Sequence, residues 1–361
     1  MKRFKLVFIS ALALTLLSSK CKEPVEPTVE FNKTELLADY ADKVIVSSLT
    51  DLKGEISNLK SSFSSFQADA SLSNLELLQE AWKASYLQFQ HSQIFNFGPS
   101  MDYGIKGAMG TYPCDTAKVE ANISSGSYSL GAAANSDAIG FPAMDYLLFD
   151  LATTDALNKL SADANRMTYV GELIDKMQTE IDAVVNAWNS GYTAEFKANT
   201  GTSSTSSMSF LVNEFNKDYE LTKVAKFGIP IGQQSLGIAQ PEYIEAPFSG
   251  FSFELIKASF EASREVYQGD YKGTDGIGFQ DYVLSFVDQG PALDEGITST
   301  YEEVLNKFAT FNSTTLKEEI LAGNPELSPA YDLIQSQVVN IKTDMPALFA
   351  IMITYQDNDG D

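Results

Sequence analysis

Apolar residues along this chain recur at intervals of three and four, not two. The clearest run is Leu75, Leu78, Trp82, Tyr86, Phe89 and Gln93, separated by 3, 4, 4, 3 and 4 positions. That spacing makes one continuous stripe along a helix. Ser73 is its expected N-cap and Gly98-Pro99 its expected end. His91 lies two positions from both Phe89 and Gln93, so it points away from the stripe and reads as an ordinary surface histidine. The same periodicity predicts helices over about 33–49, 51–66, 115–124, 141–150, 163–189, 208–226, 251–268, 277–288, 297–310, 313–322 and 325–344. Strand-like alternation is confined to Ala347–Gln356, where Ile351, Ile353 and Tyr355 suit a short strand. A further helical turn is the alternative there.

Two stretches interrupt the pattern. Residues 199–209 (NTGTSSTSSMS) carry almost no apolar side chains, which marks a loop or a domain boundary. Gly228–Gly232 and Gly237–Pro241 form the second. Lys83-Ala84-Ser85-Tyr86 is echoed by Lys257-Ala258-Ser259-Phe260, one on each side of the Ser/Thr-rich loop, which suits two similar helical halves.

Composition narrows the chemistry. The 361 residues include 48 Asp+Glu against 25 Lys+Arg, for a net charge of −23, and a surface this acidic repels nucleic acid. A single histidine and two cysteines cannot supply an HExxH zinc site, a Cys/His zinc site or a disulfide framework. A 44% hydrophobic content is enough for a folded core. Cys114 has no intrachain partner and reads as a small buried residue, not a nucleophile.

The first residues are a targeting signal. Lys2, Arg3 and Lys5 precede an apolar run, Leu6–Leu17, too short for a membrane-spanning helix. Ser18-Ser19-Lys20-Cys21 follows and resembles a bacterial lipoprotein processing site, with Cys21 as the lipidated first mature residue. Lys20 departs from the small residue usual before that cysteine. Residues 1–20 are then the signal peptide and 21–30 a Pro-rich tether. Cleavage removes four basic residues and no acidic one, which makes the mature body more acidic still. Lys22, rather than an aspartate, follows the lipidated position. The expected location is therefore the outer membrane or cell surface, with the lipid as the membrane partner.

Four segments resemble the imelysin-like family, also called peptidase family M75. They are residues 81–99 (AWKASYLQFQHSQIFNFGP), 140–149 (GFPAMDYLLF), 218–232 (DYELTKVAKFGIPIG) with 247–254 (PFSGFSFE), and the acidic end 357–361 (DNDGD). The resemblance implies an all-α fold of two helical-bundle halves, here 31–198 and 210–361 on either side of the 199–209 loop, with a groove between them. It also implies a cell-envelope location and partners in iron uptake. Peptidase activity belongs to some members only.

The chain departs from the family at the residues that carry chemistry. In the family's GxHxxE signature the His and Glu lie three apart on a helix and can share a metal. Here those positions are Pro142 and Asp145, and Gln93 stands where the first long helix commonly carries a Glu. Proline ligates nothing and suits a first helical turn. Asp145, placed in that turn, would be favoured by the helix dipole. A held metal and a base are needed for metal-assisted hydrolysis, so no catalytic residue is assigned.

The groove candidates are Gln93, Pro142, Asp145, Trp82, Tyr86, Tyr146, Ser249 and Ser252. Asp145 is also a candidate metal ligand, as are Asp357, Asp359 and Asp361, whose alternation around Gly360 resembles the start of a calcium loop. The cofactor is open, with iron or calcium as the metals to test. Gly273–Gly278 reads as a turn, and Glu242/Glu245, Glu302/Glu303 and Glu318/Glu319 as solvated helix faces. The leading function is a non-catalytic, lipid-anchored binding protein tied to iron or haem acquisition. The alternatives are a metallopeptidase with a rebuilt site and a scaffold without metal.

Overall fold

Side chains that accept backbone N–H groups set several of the helix starts. A computed structural model describes residues 30–311 and 315–355. Asn32 accepts the Glu35 N–H at the start of α1 (Lys33–Asp39), and a widened π turn at Tyr40–Ile45 leads into α2 (Val46–Ala68). After α3 (Leu72–Ser92) come two short helices, α4 (Pro99–Asp102) and α5 (Ile105–Gly110). Asp115 caps α6 (Thr116–Ser125) through the Lys118 N–H. Then follow α7 (Gly140–Phe149), α8 (Thr153–Ala162) and α9 (Ala164–Ala187), the last capped by Asp163.

A second widened turn, Trp188–Tyr192, joins α9 to α10 (Thr193–Ala198). The Ser/Thr-rich stretch then delivers Ser206 as the N-cap of α11 (Ser207–Leu221), which runs on through a third widened turn, Thr222–Gly228. The chain finishes with α12 (Ser252–Gln268), α13 (Phe279–Leu284), α14 (Gly290–Phe308), α15 (Leu316–Leu321), α16 (Leu327–Val338) and α17 (Met345–Leu348). The fold is all-α. Among the described residues the only β pairing is one isolated bridge between Tyr271 and Thr274, which runs into the Gly273–Gly278 segment read as a turn.

The expected strand at the C-terminus does not form. Ile351 and Ile353 lie against the core and Met352 points out, so the alternation is real, but no neighbouring strand supplies a ladder. The Asn213 side chain takes that place. Its amide donates to the Met352 carbonyl at 3.1 Å and its oxygen accepts the Thr354 N–H at 2.7 Å, which satisfies the backbone. Helix α3 begins one turn's fraction earlier than expected, with Ser71 and not Ser73 at the N-cap, and ends at Ser92. Gly98-Pro99 instead opens α4, with Pro99 in its first turn. Helices α5 and α8 escaped the periodicity because so few of their residues are buried.

Helices from before and after the Ser/Thr-rich stretch share one continuous core. The stripe on α3 is wholly enclosed: Leu75, Leu78, Trp82, Tyr86 and Phe89 are all inaccessible. The helices that carry the two echoed segments, α3 and α12, pack along each other. Gln88 donates to the Tyr271 hydroxyl at 2.9 Å, and Ser259 donates to Gln90 at 3.1 Å. This packing also corrects the reading of His91. The face of α3 opposite the stripe is covered by α12, and the ring lies 2.9 Å from the Glu265 carboxylate with its side chain 15% exposed. Of the paired glutamates, Glu242, Glu302, Glu303 and Glu318 are exposed, but Glu245 is 2% exposed and is no solvated face.

Tyr40 ties the start of the chain to its later half. Its buried hydroxyl donates to the Val266 carbonyl at 2.6 Å and accepts the Phe279 N–H at 2.9 Å. Tyr40→Phe leaves both buried backbone groups unpaired and is expected to cost about 2–4 kcal/mol. Urea unfolding checks this; a loss below about 0.5 kcal/mol would show that the hydroxyl is not a tie.

Candidate functional site

Helix α7 is buried along nearly its whole length, and Asp145 is its one ionisable side chain apart from Tyr146. Gly140 opens it at φ 72°, where an added Cβ would lie 2.4 Å from the Met109 carbonyl oxygen, so only glycine fits. Pro142 is the third residue of the helix and Asp145 the sixth. Asp145 therefore sits in the second turn, not the first, and the helix dipole is not what satisfies it. The loop after Tyr243 does that. The carboxylate, with no exposure, accepts the Phe248 N–H and the Ser249 N–H, each at 3.0 Å. Burial pushes its pKa up to about 6, against the pull of these bonds.

The segment 244–250 is where most of the predicted site residues converge. Phe248 packs on Tyr146 with ring centroids 5.3 Å apart, and Tyr146 donates to Glu120 at 2.5 Å. Ser252 donates to the Glu245 carbonyl at 2.6 Å. Tyr86 stacks on Phe141 at 4.7 Å and donates to the Glu245 carboxylate at 2.7 Å. Trp82 donates to the Phe141 carbonyl at 3.2 Å. Tyr86 and Trp82 are thus interior side chains beneath the segment, not walls of an open groove. Gln93 does not reach Asp145; it donates to Gln90.

Sequence reasoning missed a buried charge pair below this segment. Lys226, on the widened turn after α11, lies 2.9 Å from the Glu245 carboxylate and also donates to Gln90. Both side chains are at most 6% exposed. A second pair, Lys106 with Asp218 at 2.5 Å, lies nearby. The usable signal was a single charge set in an apolar run, as in Val224-Ala225-Lys226-Phe227 and Ile244-Glu245-Ala246. Such a residue must find a partner when the run is buried.

An open cleft of about 420 Å³ lies over α7. One wall comes from the 112–116 loop and Pro142, the other from residues 241–248, with Lys317 of α15 at its edge. Four prolines line it, Pro113, Pro142, Pro241 and Pro247. Cys114 also borders it. Burial first, then the carboxylates of Asp115, Asp145 and Asp137, push its thiol up to about 12, so at neutral pH it is a protonated, weak nucleophile.

The donor set at the signature positions does not fit a metal. Pro142 offers no ligating atom, and both oxygens of Asp145 are engaged by backbone N–H groups inside the protein. Among the described residues, no three His, Cys, Asp or Glu side chains come together as a metal-holding group. No helix among them is long and apolar enough to cross a membrane. Cys21 and the aspartates at 357, 359 and 361 lie outside the described residues.

A family model described as Imelysin, Peptidase M75, matches residues 45–342. Iron-regulated protein A of Synechococcus elongatus is 27% identical over 81 residues, a stretch that covers 22% of this chain and 23% of that protein. The chain is therefore aligned with only about a quarter of that relative's length. Two crystal structures share the fold. An assigned iron-regulated protein A precursor from Parabacteroides distasonis matches with a TM-score of 0.73 at 16% identity, over 90% of this chain and 98% of that one. An imelysin-like protein from Psychrobacter arcticus matches with a TM-score of 0.70 at 16% identity, over 91% and 99%.

Two predictions test the buried charges. Asp145 carries a pKa raised above its unfolded value near 4, so between about pH 4 and 6 the folded chain holds a proton that the unfolded chain has lost. Its contribution to stability falls as pH rises through that window. Asp145→Asn keeps one acceptor but faces the other N–H with an amide donor. Its deficit against the wild type should be about 1–3 kcal/mol near pH 4 and shrink toward pH 7; a deficit that widens with pH refutes the assignment. Separately, Lys226→Met strands the Glu245 charge and should cost about 3–5 kcal/mol, most of it recovered in Lys226→Met/Glu245→Gln. Equal losses in the single and double variants would mean the two charges are not coupled.

Proposed function

The chain belongs to the imelysin (peptidase M75) family, and on that premise we propose that it is a binding protein of the iron-regulated type and not a metallopeptidase. The observation that carries this reading is the fate of the signature positions. Pro142 forms part of a cleft wall, and the Asp145 carboxylate is spent on the Phe248 and Ser249 N–H groups. Hydrolysis assisted by a metal needs an open coordination position and a base beside it, and this segment supplies neither. What it does supply is a preformed, mostly apolar cleft of the size used for small ligands.

The link to iron rests on the names of two similar proteins: one is called iron-regulated protein A, and the structural neighbour from Parabacteroides distasonis shares that assignment. Attachment to the envelope through a lipid on Cys21 is part of the same proposal and rests on the signal-like start of the sequence. Labelling with a radioactive fatty acid, lost in Cys21→Ala, tests that part.

Metal content and proteolysis test the central claim. The mature chain would be equilibrated with Fe³⁺, Zn²⁺ and Ca²⁺, desalted and assayed by elemental analysis, beside Asp145→Ala. It would also be incubated with an unfolded protein substrate, with and without chelator. The expected outcome is no cleavage and a metal content that Asp145→Ala does not change. Stoichiometric metal that disappears in Asp145→Ala, or cleavage that the chelator blocks, overturns the reading in favour of a rebuilt metallopeptidase site. Protein levels that do not respond to iron starvation would remove the iron link.

A further inference from the structure

We propose that the proline-lined cleft takes a small aromatic carboxylate, with its ring between the proline walls and its anionic group on Lys317. This deepens the binding-protein reading and rests on it. The ring site comes from the cleft's own lining. Pro142 of α7 and Pro247 of the 244–250 segment both line it, with Phe248 and Tyr112 among the other lining residues. Rigid proline rings and aromatic faces make flat apolar walls that lose little side-chain entropy when a planar ring is bound. Proline-rich segments dock between aromatic side chains for the same reason, and here the roles are reversed.

The charge of the ligand follows from what Lys317 lacks. Acidic residues outnumber basic ones by 48 to 25, so an unpaired carboxylate is expected by count and an unpaired lysine is not. Every other lysine among the described residues sits within 4.0 Å of a carboxylate or over an aromatic ring. Lys317 alone has neither and lines the cleft. Its two acidic neighbours along the helix are engaged elsewhere: Glu318 accepts the Thr315 N–H at 2.8 Å, and Glu319 accepts from Asn324 at 2.6 Å. Glu242, also at the rim, opposes any ligand with more than one negative charge. The chemistry that fits is one ring and one carboxylate.

A matched set of probes decides it. Phenylacetate, phenethylamine and acetate would be titrated into the mature chain and into Lys317→Gln by isothermal calorimetry and ligand-observed NMR. Lys317 is exposed, and thermal unfolding of the variant checks that the fold is kept. Phenylacetate is expected to bind, phenethylamine and acetate not, and Lys317→Gln to weaken phenylacetate by about tenfold. Phenethylamine binding as well as phenylacetate, or an affinity unchanged in Lys317→Gln, overturns the charge assignment while leaving the cleft as a binding site. Failure of both aromatic probes to bind overturns the proposal together with the reading of the cleft.

Discussion

Everything around the cleft depends on one buried carboxylate finding two backbone donors. Asp145 sits on a helix with no other acidic side chain before its end, shielded from solvent. An ionised group there is tolerable only if it is paired or hydrogen-bonded. The Phe248 and Ser249 N–H groups meet that need, and in doing so they fix the 244–250 segment against α7. That contact brings Pro247 and Phe248 to the same cleft as Pro142. It also sets Glu245 directly above the Lys226 ammonium. The cleft, the wall and the charge pair are therefore consequences of one carboxylate placed in the second turn of α7.

The Lys226–Glu245 pair shows why the seam between the early and late helices is polar at its centre. Taking two charges from water costs several kcal/mol, and the mutual attraction offsets this only with further hydrogen bonds. Those bonds are present: Tyr86 donates to Glu245, and Gln90 accepts from Lys226 and Ser259. The ties run from α3 in the first part of the chain to α12 and the widened turn in the second. Buried apolar contact alone would let these helices slide on one another. A charge pair held in this way, with Tyr86 on the carboxylate and Gln90 on the ammonium, allows one register, at little net gain in stability.

How much was legible follows from which signals act locally. Helix type and most helix positions could be read, because a stripe such as Leu75 to Phe89 depends only on spacing. The ends were less legible: Ser71 and Ser73 are equally good caps by composition, and only the neighbouring turn selects one. The C-terminal strand failed for a non-local reason, since Asn213, far away in sequence, replaced the missing neighbour. The site divided in the same way. Pro142 and Asp145 stood out against a known pattern. Glu245 and Lys226 did not, because a lone charge in a buried run is recognisable only once the run is known to be buried. Tyr86, Trp82 and Gln93 were placed near the seam, but as interior supports and not as an open surface.

The signature itself separates into architecture and chemistry. Its glycine is required by the backbone: Gly140 has positive φ and its α carbon faces the Met109 carbonyl closely enough to exclude any side chain. That requirement is independent of a metal, and the glycine is present. The positions that would hold a metal are free of any such demand, and there the chain carries a proline and a shorter carboxylate. Proline in the first turn costs the helix nothing and gives the cleft a rigid apolar face. Aspartate, one methylene shorter than glutamate, keeps its oxygens within reach of the 248–249 backbone. The two changes act together: one removes a ligand from the cleft, and the other turns the remaining carboxylate inward as a clasp. What this combination builds is an apolar cleft, bordered by Lys317, the one described lysine that has neither a carboxylate within 4.0 Å nor an aromatic ring beneath it.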